Sequence, residues 1–286
     1  MNLKTLTLIF IVTFALYNTK AQDFYSASDI ALANSNTAKI FTNSFVHQTN
    51  PSLSFFNRTL EFGATYTPGL YNLTELQNFG FAVTYPFTYS NISFSFNNFG
   101  YSLYQKNLFS FNYSYFIDKL FIIGFNSNLD YVKIANYDNH WQNFFDLGIS
   151  SILTNNLVMS FSVKNIFNQS HIINEKDIPS IYSLGISSIL DGFSTLNFSV
   201  QKEIGKNVNF MGGISLFPID ILSLNIGYMK EPALQSYGFS LFINKFSLEY
   251  SLQIHNLLGE THYISIFYNP DGFLNKYDIV INNYLK

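Results

Sequence analysis

The chain contains no cysteine. No disulfide can staple it and no thiolate can bind metal or act as nucleophile, which excludes a stapled secreted scaffold and the cysteine-based zinc sites. Charge is also scarce: Asp, Glu, Lys and Arg together make up 12% of the residues, against roughly 25% in soluble globular chains. There is one Trp, and Arg58 is the only arginine. Beyond the N-terminus no run of 18 uncharged apolar residues occurs, so no transmembrane helix is expected. Removing Lys4 and Lys20 from the 15 basic residues leaves 13 against 18 acidic ones, a formal charge of −5. That balance argues against nucleic acid as a partner.

What the chain has in abundance is Phe (32) and Tyr (20), in a sequence that is 48% hydrophobic. Low charge with heavy aromatic use and many Asn and Ser suits a body that is apolar outside and polar inside. The first residues look exported. Lys4 supplies a positive n-region, Leu6 to Leu16 an apolar h-region, and Thr19-Lys20-Ala21 a small-residue cleavage site, giving a signal peptide over 1–21. An exported chain of membrane-like composition without spanning helices leaves the closed β-barrel, because lipid offers no partners for backbone groups.

The pattern from Thr59 onward fits that architecture. Asp220 to Tyr228 is the clearest example, with Leu222, Leu224, Ile226 and Tyr228 on one parity and Ser223, Asn225 and Gly227 on the other. Successive strand side chains point to opposite faces, so such a strand presents one greasy face to lipid and one small, polar face to a lumen. About fourteen strands of this kind are expected between 59 and 269, near the length a tilted transmembrane strand needs. The expected connections alternate. Short ones fall at Thr88–Ser90, Asp118-Lys119, Thr154–Asn156, Asp191-Gly192, Pro218–Asp220 and Asn244-Lys245. Longer ones fall at Pro68–Glu75, Asn97–Lys106, Ile134–His140, Asn165–Asp177, Glu203–Asn207, Lys230–Ser236 and Asn256–Glu260. Short periplasmic turns and long outer loops are the pattern of an outer-membrane barrel. An even strand count puts both chain ends on the periplasmic side.

Residues 22–58 lack the strand period. Short helical turns are expected at Ile30–Ala33 and Ala38–Phe41, with a break at Asn50-Pro51. The segment reads either as a hatch within the barrel or as an irregular tail, with Leu32, Asn34, Asn50 and Pro51 as hatch candidates. On the lumen-facing parity the charges are few and of mixed sign: Glu61, Asp130, Asp146, Lys164 and Glu249. They do not form the one-sign rings of an ion-selective pore; Glu249 and Lys164 are candidates to anchor the N-terminal segment. Tyr71, Leu73, Tyr137, Trp141, Ile172, Ile173, Leu257 and Leu258 are candidates for an outer entry surface or interfacial anchors. Residues 270–286 extend past the last strand as a periplasmic tail, where many barrels instead end at an aromatic residue.

No catalytic pattern emerges. His47, His140, His171, His255 and His262 fall in no metal-ligand spacing, and there is neither a Gly-x-Ser-x-Gly elbow nor a Gly-rich phosphate loop. No enzyme activity, cofactor or metal is expected.

From roughly Ile30 to Tyr268 the chain resembles the PorV-like proteins, which group with the long-chain fatty-acid transporter (FadL-like) outer-membrane barrels. The resemblance rests on the Ala-rich run Ile30–Ala38 leading into Asn50-Pro51, on Asp146-Leu147-Gly148, Lys164-Asn165 and Pro179 followed by Leu184-Gly185-Ile186. Gly227-Tyr228 followed by Glu231-Pro232 and Tyr237-Gly238-Phe239, and the closing Leu258-Gly259-Glu260-Thr261-His262-Tyr263-Ile264-Ser265, complete it. Ser52 stands where the family has Ala after Asn-Pro, and the chain is short for the family. The resemblance implies a fourteen-stranded barrel in the outer membrane of a Gram-negative bacterium, with an N-terminal segment in its lumen. It implies contact with membrane lipid and passage of a hydrophobic small-molecule ligand. The alternative it implies is a component of type IX protein secretion that engages exported cargo and other surface proteins.

Overall fold

Alternation becomes strand throughout the computed structural model, which describes residues 25–118, 121–137, 139–167, 179–190 and 193–273. The fourteen strands are β1 (Glu61–Thr67), β2 (Asn78–Pro86), β3 (Ser90–Tyr101), β4 (Tyr104–Asp118), β5 (Phe121–Ile134), β6 (His140–Thr154), β7 (Leu157–Lys164), β8 (Ile181–Leu190), β9 (Ser194–Glu203), β10 (Val208–Ile219), β11 (Leu222–Met229), β12 (Leu234–Ile243), β13 (Phe246–His255) and β14 (Gly259–Tyr268). Each pairs antiparallel with its sequence neighbours, and β1 pairs with β14 to close the barrel. Closure leaves no edge, so every strand backbone can be paired without water.

Parity decides which side meets lipid. On β11, Ser223, Asn225 and Gly227 face inward, and Leu224, Ile226 and Tyr228 are exposed outward. The same holds on β4, where Ser110, Asn112 and Ser114 are buried and Phe111, Tyr113 and Tyr115 are exposed. Exposed aromatic and aliphatic side chains recur on the outward parity of every strand. A contiguous apolar surface of that extent is unsustainable in water, so this belt lies in lipid. No helix among the described residues is long and apolar enough to cross a membrane.

The connections depart from the expected alternation, most clearly at one place. Asn97 to Lys106 is not a long loop: β3 and β4 run on and meet at a tight turn at Ser102-Leu103. The polar run that reads as loop is strand, because Asn98 and Asn107 sit opposite each other and hydrogen-bond through their side chains at 2.8 Å. Other outer connections are also short, among them 204–207, 230–233 and 256–258, so only 68–77 and 165–180 are long at that end. The strand over Asp220–Tyr228 starts two residues late, since Asp220-Ile221 form its turn.

The N-terminal residues pack against the inner wall. Helix α1 (Ala27–Ala31) is capped by Ser26, whose side chain accepts from the Asp29 backbone N–H. Two 3₁₀ turns follow, Val46–Gln48 and Pro51–Phe56. Pro51 therefore starts a helical turn instead of merely breaking the run, as expected of proline at a first helical position with Asn50 as cap. Ala38–Phe41 forms no helix but a turn and a bend. Nearly every residue from Tyr25 to Asn57 is buried. The proposed signal peptide, Ile172, Ile173, His171 and 274–286 lie outside the described residues.

Candidate functional site: the plugged lumen

The lumen has room for the segment because the wall beneath it is built of small residues. A Cβ on Gly124 would collide with the Pro51 backbone, and one on Gly227 with the backbone between Leu32 and Ala33. Glycine is what these two positions require, since the segment lies directly on the strand backbone. Gly148, Gly185 and Gly213 make similar room for Asn50, Thr37 and Ser35.

No strand pairing holds residues 25–57; turns within the segment and side chains from the wall satisfy their backbone instead. Over the 46–57 half, Asn91 Nδ2 donates to the Ser54 and Asn57 carbonyls, both at 2.6 Å. Asn112 Nδ2 donates to Pro51 O at 3.0 Å and Asn126 Nδ2 to His47 O at 2.8 Å. Ser52 and Ser150 hydroxyls meet at 2.6 Å. Arg58 closes this half at the short-turn end, donating to the Phe87 and Thr88 carbonyls and to Asn91 Oδ1 and lying over the Phe55 ring. Phe55 stacks on Phe116 and joins Leu53, Phe56 and Ile122 in a buried apolar cluster.

His47 is fully enclosed. Its Nδ1 lies 3.0 Å from Ser44 O, which can only accept, so Nδ1 carries the proton and Nε2 accepts from Ser95 Oγ at 2.9 Å. Burial pushes its pKa down to about 4, the Ser44 carbonyl opposing this in part.

The 26–43 half is held differently. Lys39 and Asp29, the only acidic and basic side chains of this segment, pair at 2.6 Å while both are buried. Lys39 Nζ also donates to Ser28 Oγ. The wall contributes acceptors: Glu249 Oε2 takes the Ser28 N–H at 2.9 Å, Ser265 Oγ the Ala27 N–H at 2.8 Å, and Glu61 Oε1 the Ser44 N–H at 2.7 Å.

Each residue singled out from sequence can now be placed. Leu32 is fully buried against Gly213 and Gly227. Asn34 adopts a left-handed backbone, φ 61°, just past α1, and is half-buried. Asn50 donates from Nδ2 to Thr37 O and caps the following turn through Oδ1. Among the lumen charges, Glu61 and Glu249 touch the segment directly, and Lys164 lies over the Tyr25 ring, 5.4 Å from its centre. Asp146 is tied instead to Asn126, Asn128 and the Asn165 N–H, and Asp130 to Lys106 at 3.2 Å nearer the outer end. The outer group does not converge. Tyr71 is half-buried and donates its N–H to Thr261, whereas Leu73, Tyr137, Leu257 and Leu258 are separately exposed. Trp141 is not a loop residue: it faces outward on β6, its ring 4.4 Å from that of Tyr131. Sequence reasoning passed over Asn91, Asn126 and the Lys39–Asp29 pair. Strand parity held a signal for the asparagines, and two opposite charges within an otherwise uncharged segment held one for the pair. No group of three or more metal-ligating side chains occurs among the described residues.

Taken together, this is an antiparallel fourteen-stranded membrane barrel whose bore is filled by its own N-terminal segment. Its fold is that of outer-membrane channels. A structure described as the CymD monoaromatic hydrocarbon channel is similar over 89% of this chain and 99% of its own, with a TM-score of 0.67 and 10% identity. The toluene transporter TodX of Pseudomonas putida matches over 88% of this chain and all of its own (TM-score 0.67, 9% identity). A FadL homologue of Pseudomonas aeruginosa matches over 85% and 98% (TM-score 0.58, 9% identity). No family model and no curated protein matches the sequence. At such identities the likeness establishes fold. These neighbours lend the secretion alternative no support.

Proposed function

We propose that this barrel carries small hydrophobic molecules across the outer membrane, with residues 25–57 as a plug that must shift for passage. The observation that carries this reading is the way the plug is attached. It shares no β-ladder with the wall and is seated by hydrogen bonds from wall side chains, its one ion pair being internal to the segment, so it can be displaced without opening the barrel. Lumenal glycines shaped to the segment support a bore built around an occupant over an open aqueous pore. Channels and transporters for hydrocarbons among the neighbours of the same fold support the class of cargo.

The test is uptake of radiolabelled toluene by a Gram-negative host lacking its own hydrocarbon channel. Expression of the full chain should raise uptake severalfold over the empty vector, and a variant lacking 25–51 should also admit polar solutes. Uptake equal to the vector control, with the protein folded in the outer membrane, would overturn the reading.

A further inference from the structure

A cavity lies between the plug and the β9–β14 wall. It offers about 30 Å³ to the centres of water molecules, room for roughly two of them. Its lining is divided. At one end stand Lys39, Asn225 and Glu249; at the other, five phenyl rings, Phe41, Phe217, Phe242, Phe267 and Phe273. Phe41 and Phe217 meet edge to face at 5.3 Å, and Phe242 and Phe273 stack at 5.9 Å.

The polar end has capacity to spare. Asn225 is 3% exposed, its Oδ1 accepts from Ser223 Oγ, and its Nδ2 has no hydrogen-bond partner. Lys39 commits two of its three protons, to Asp29 and Ser28. A buried amide N–H left without an acceptor is costly, so an acceptor placed there would be held. Charge restricts what that acceptor can be. The one ammonium is already paired with Asp29 and faces a further acid group, Glu249, so a fatty-acid carboxylate would find no uncommitted cation there. A hydroxyl fits better, because it accepts from Asn225 or Lys39 and donates to Glu249.

The apolar end already holds a ring. Phe273 lies beyond β14 and is 3% exposed. It reaches its position through a short hook: Asn269 N–H donates to Lys245 O, Asn269 Nδ2 to Thr59 Oγ1, and Phe273 N–H to Asn244 O. Lys245 and Asn244 form the β12–β13 turn, so the hook closes the short-turn end, which faces the periplasm in barrels of this kind.

We propose that this cavity is a periplasm-side exit site for small neutral aromatic molecules bearing a hydroxyl group, and that the ring of Phe273 fills its aromatic half as a built-in competitor. The proposal rests on the transport reading and names a narrower substrate class for it. Phe273 leaves and the cargo ring takes its place against Phe242, with the hydroxyl at Asn225 and Lys39.

Cysteine labelling tests this, since the chain has no cysteine of its own. Ser223→Cys places a thiol on the cavity wall, and Ser160→Cys places one inward on β7, away from the cavity. Both are made in the refolded full chain and treated with a small methanethiosulfonate reagent. Adding Phe273→Ala should speed labelling at position 223 at least tenfold and leave position 160 unchanged. Millimolar benzyl alcohol should then slow labelling at 223 at least threefold, toluene less, and benzoate not at all. The proposal is overturned if Phe273→Ala leaves the rate at 223 unchanged or speeds both positions alike. It is equally overturned if benzyl alcohol gives no protection, the result expected of a cavity that holds water only. Should Phe273→Ala fail to show the heat-modifiable migration of a closed barrel, Phe273→Leu replaces it with the same criteria. Toluene uptake by the unaltered chain reports separately on the transport reading, so the two can fail independently.

Discussion

The two halves of the plug are seated by different chemistry. Residues 46–57 lie on β3–β6 through neutral hydrogen bonds from inward Asn and Ser and through the Phe55–Phe116 cluster. Residues 26–43 lie toward β11–β14, braced internally by the buried Lys39–Asp29 pair and bonded to the wall through Glu249 and Ser265, beside the cavity. Neutral hydrogen bonds with apolar packing make a firm anchor that gains from each added contact. A buried ion pair contributes little net stability but is costly to break, so it braces the shape of 26–43 and leaves the wall contacts of that half to a few hydrogen bonds. The difference makes 46–57 the half bonded more densely to the wall and 26–43 the half braced by its own ion pair.

The largest expected effect falls on the charged half. Lys39→Met strands Asp29 without its partner and should loosen residues 26–43 by about 3–5 kcal/mol, while Lys39→Met with Asp29→Leu recovers most of that loss. Hydrogen exchange of 26–43 reads it out. If 46–57 loosens equally in the single variant, the two halves are one unit and the comparison fails.

Acid should act on the other half. The folded pKa of His47, about 4, lies below the ordinary value of 6.5, so the unfolded or released form binds the proton more readily. Its contribution is therefore complete above pH 6.5 and is lost as pH falls through the window from 6.5 to 4. Below that window the loss reaches about 3 kcal/mol, at 1.36 kcal/mol per pKa unit. Protease protection of 46–57 should fall over this window in the native chain and stay flat in His47→Gln. A flat profile in both would remove His47 as the cause.

Smaller changes grade the anchor. Asn91→Leu leaves the Ser54 and Asn57 carbonyls without that donor and should cost about 2 kcal/mol, seen as faster exchange confined to 46–57. Ser52→Ala removes the 2.6 Å contact with Ser150 and should cost about 1 kcal/mol by the same measurement. Equal effects of the two would show that the anchor is held by packing instead of by its polar contacts.

Much of the barrel was legible from one strand at a time. Leu224, Ile226 and Tyr228 against Ser223, Asn225 and Gly227 state which side is lipid, because side-chain parity is a local property of extended backbone. The plug was less legible, since a segment without period reads equally as lumenal filling or as tail. Its wall partners could not be matched pair by pair from sequence either: Glu249 stood out as an anchor candidate, but Ser28, which it holds, is separated from it by most of the chain and meets it only on closure. The β3–β4 connection misled for a related reason: Asn97 and Asn98 have turn-like composition, and only the facing Asn107 and Leu108 make them strand.

Sequence by itself thus determined a membrane barrel of fourteen strands, its inward and outward faces and an N-terminal stretch of another kind. Those follow from alternation and composition, which act locally along the chain. Tertiary structure alone decided that the stretch fills the bore, that Gly124 and Gly227 are its seats, and that Phe273 returns to close a cavity beside Lys39. Each depends on which residues face one another across a closed barrel, and closure is a property of the whole circuit of strands.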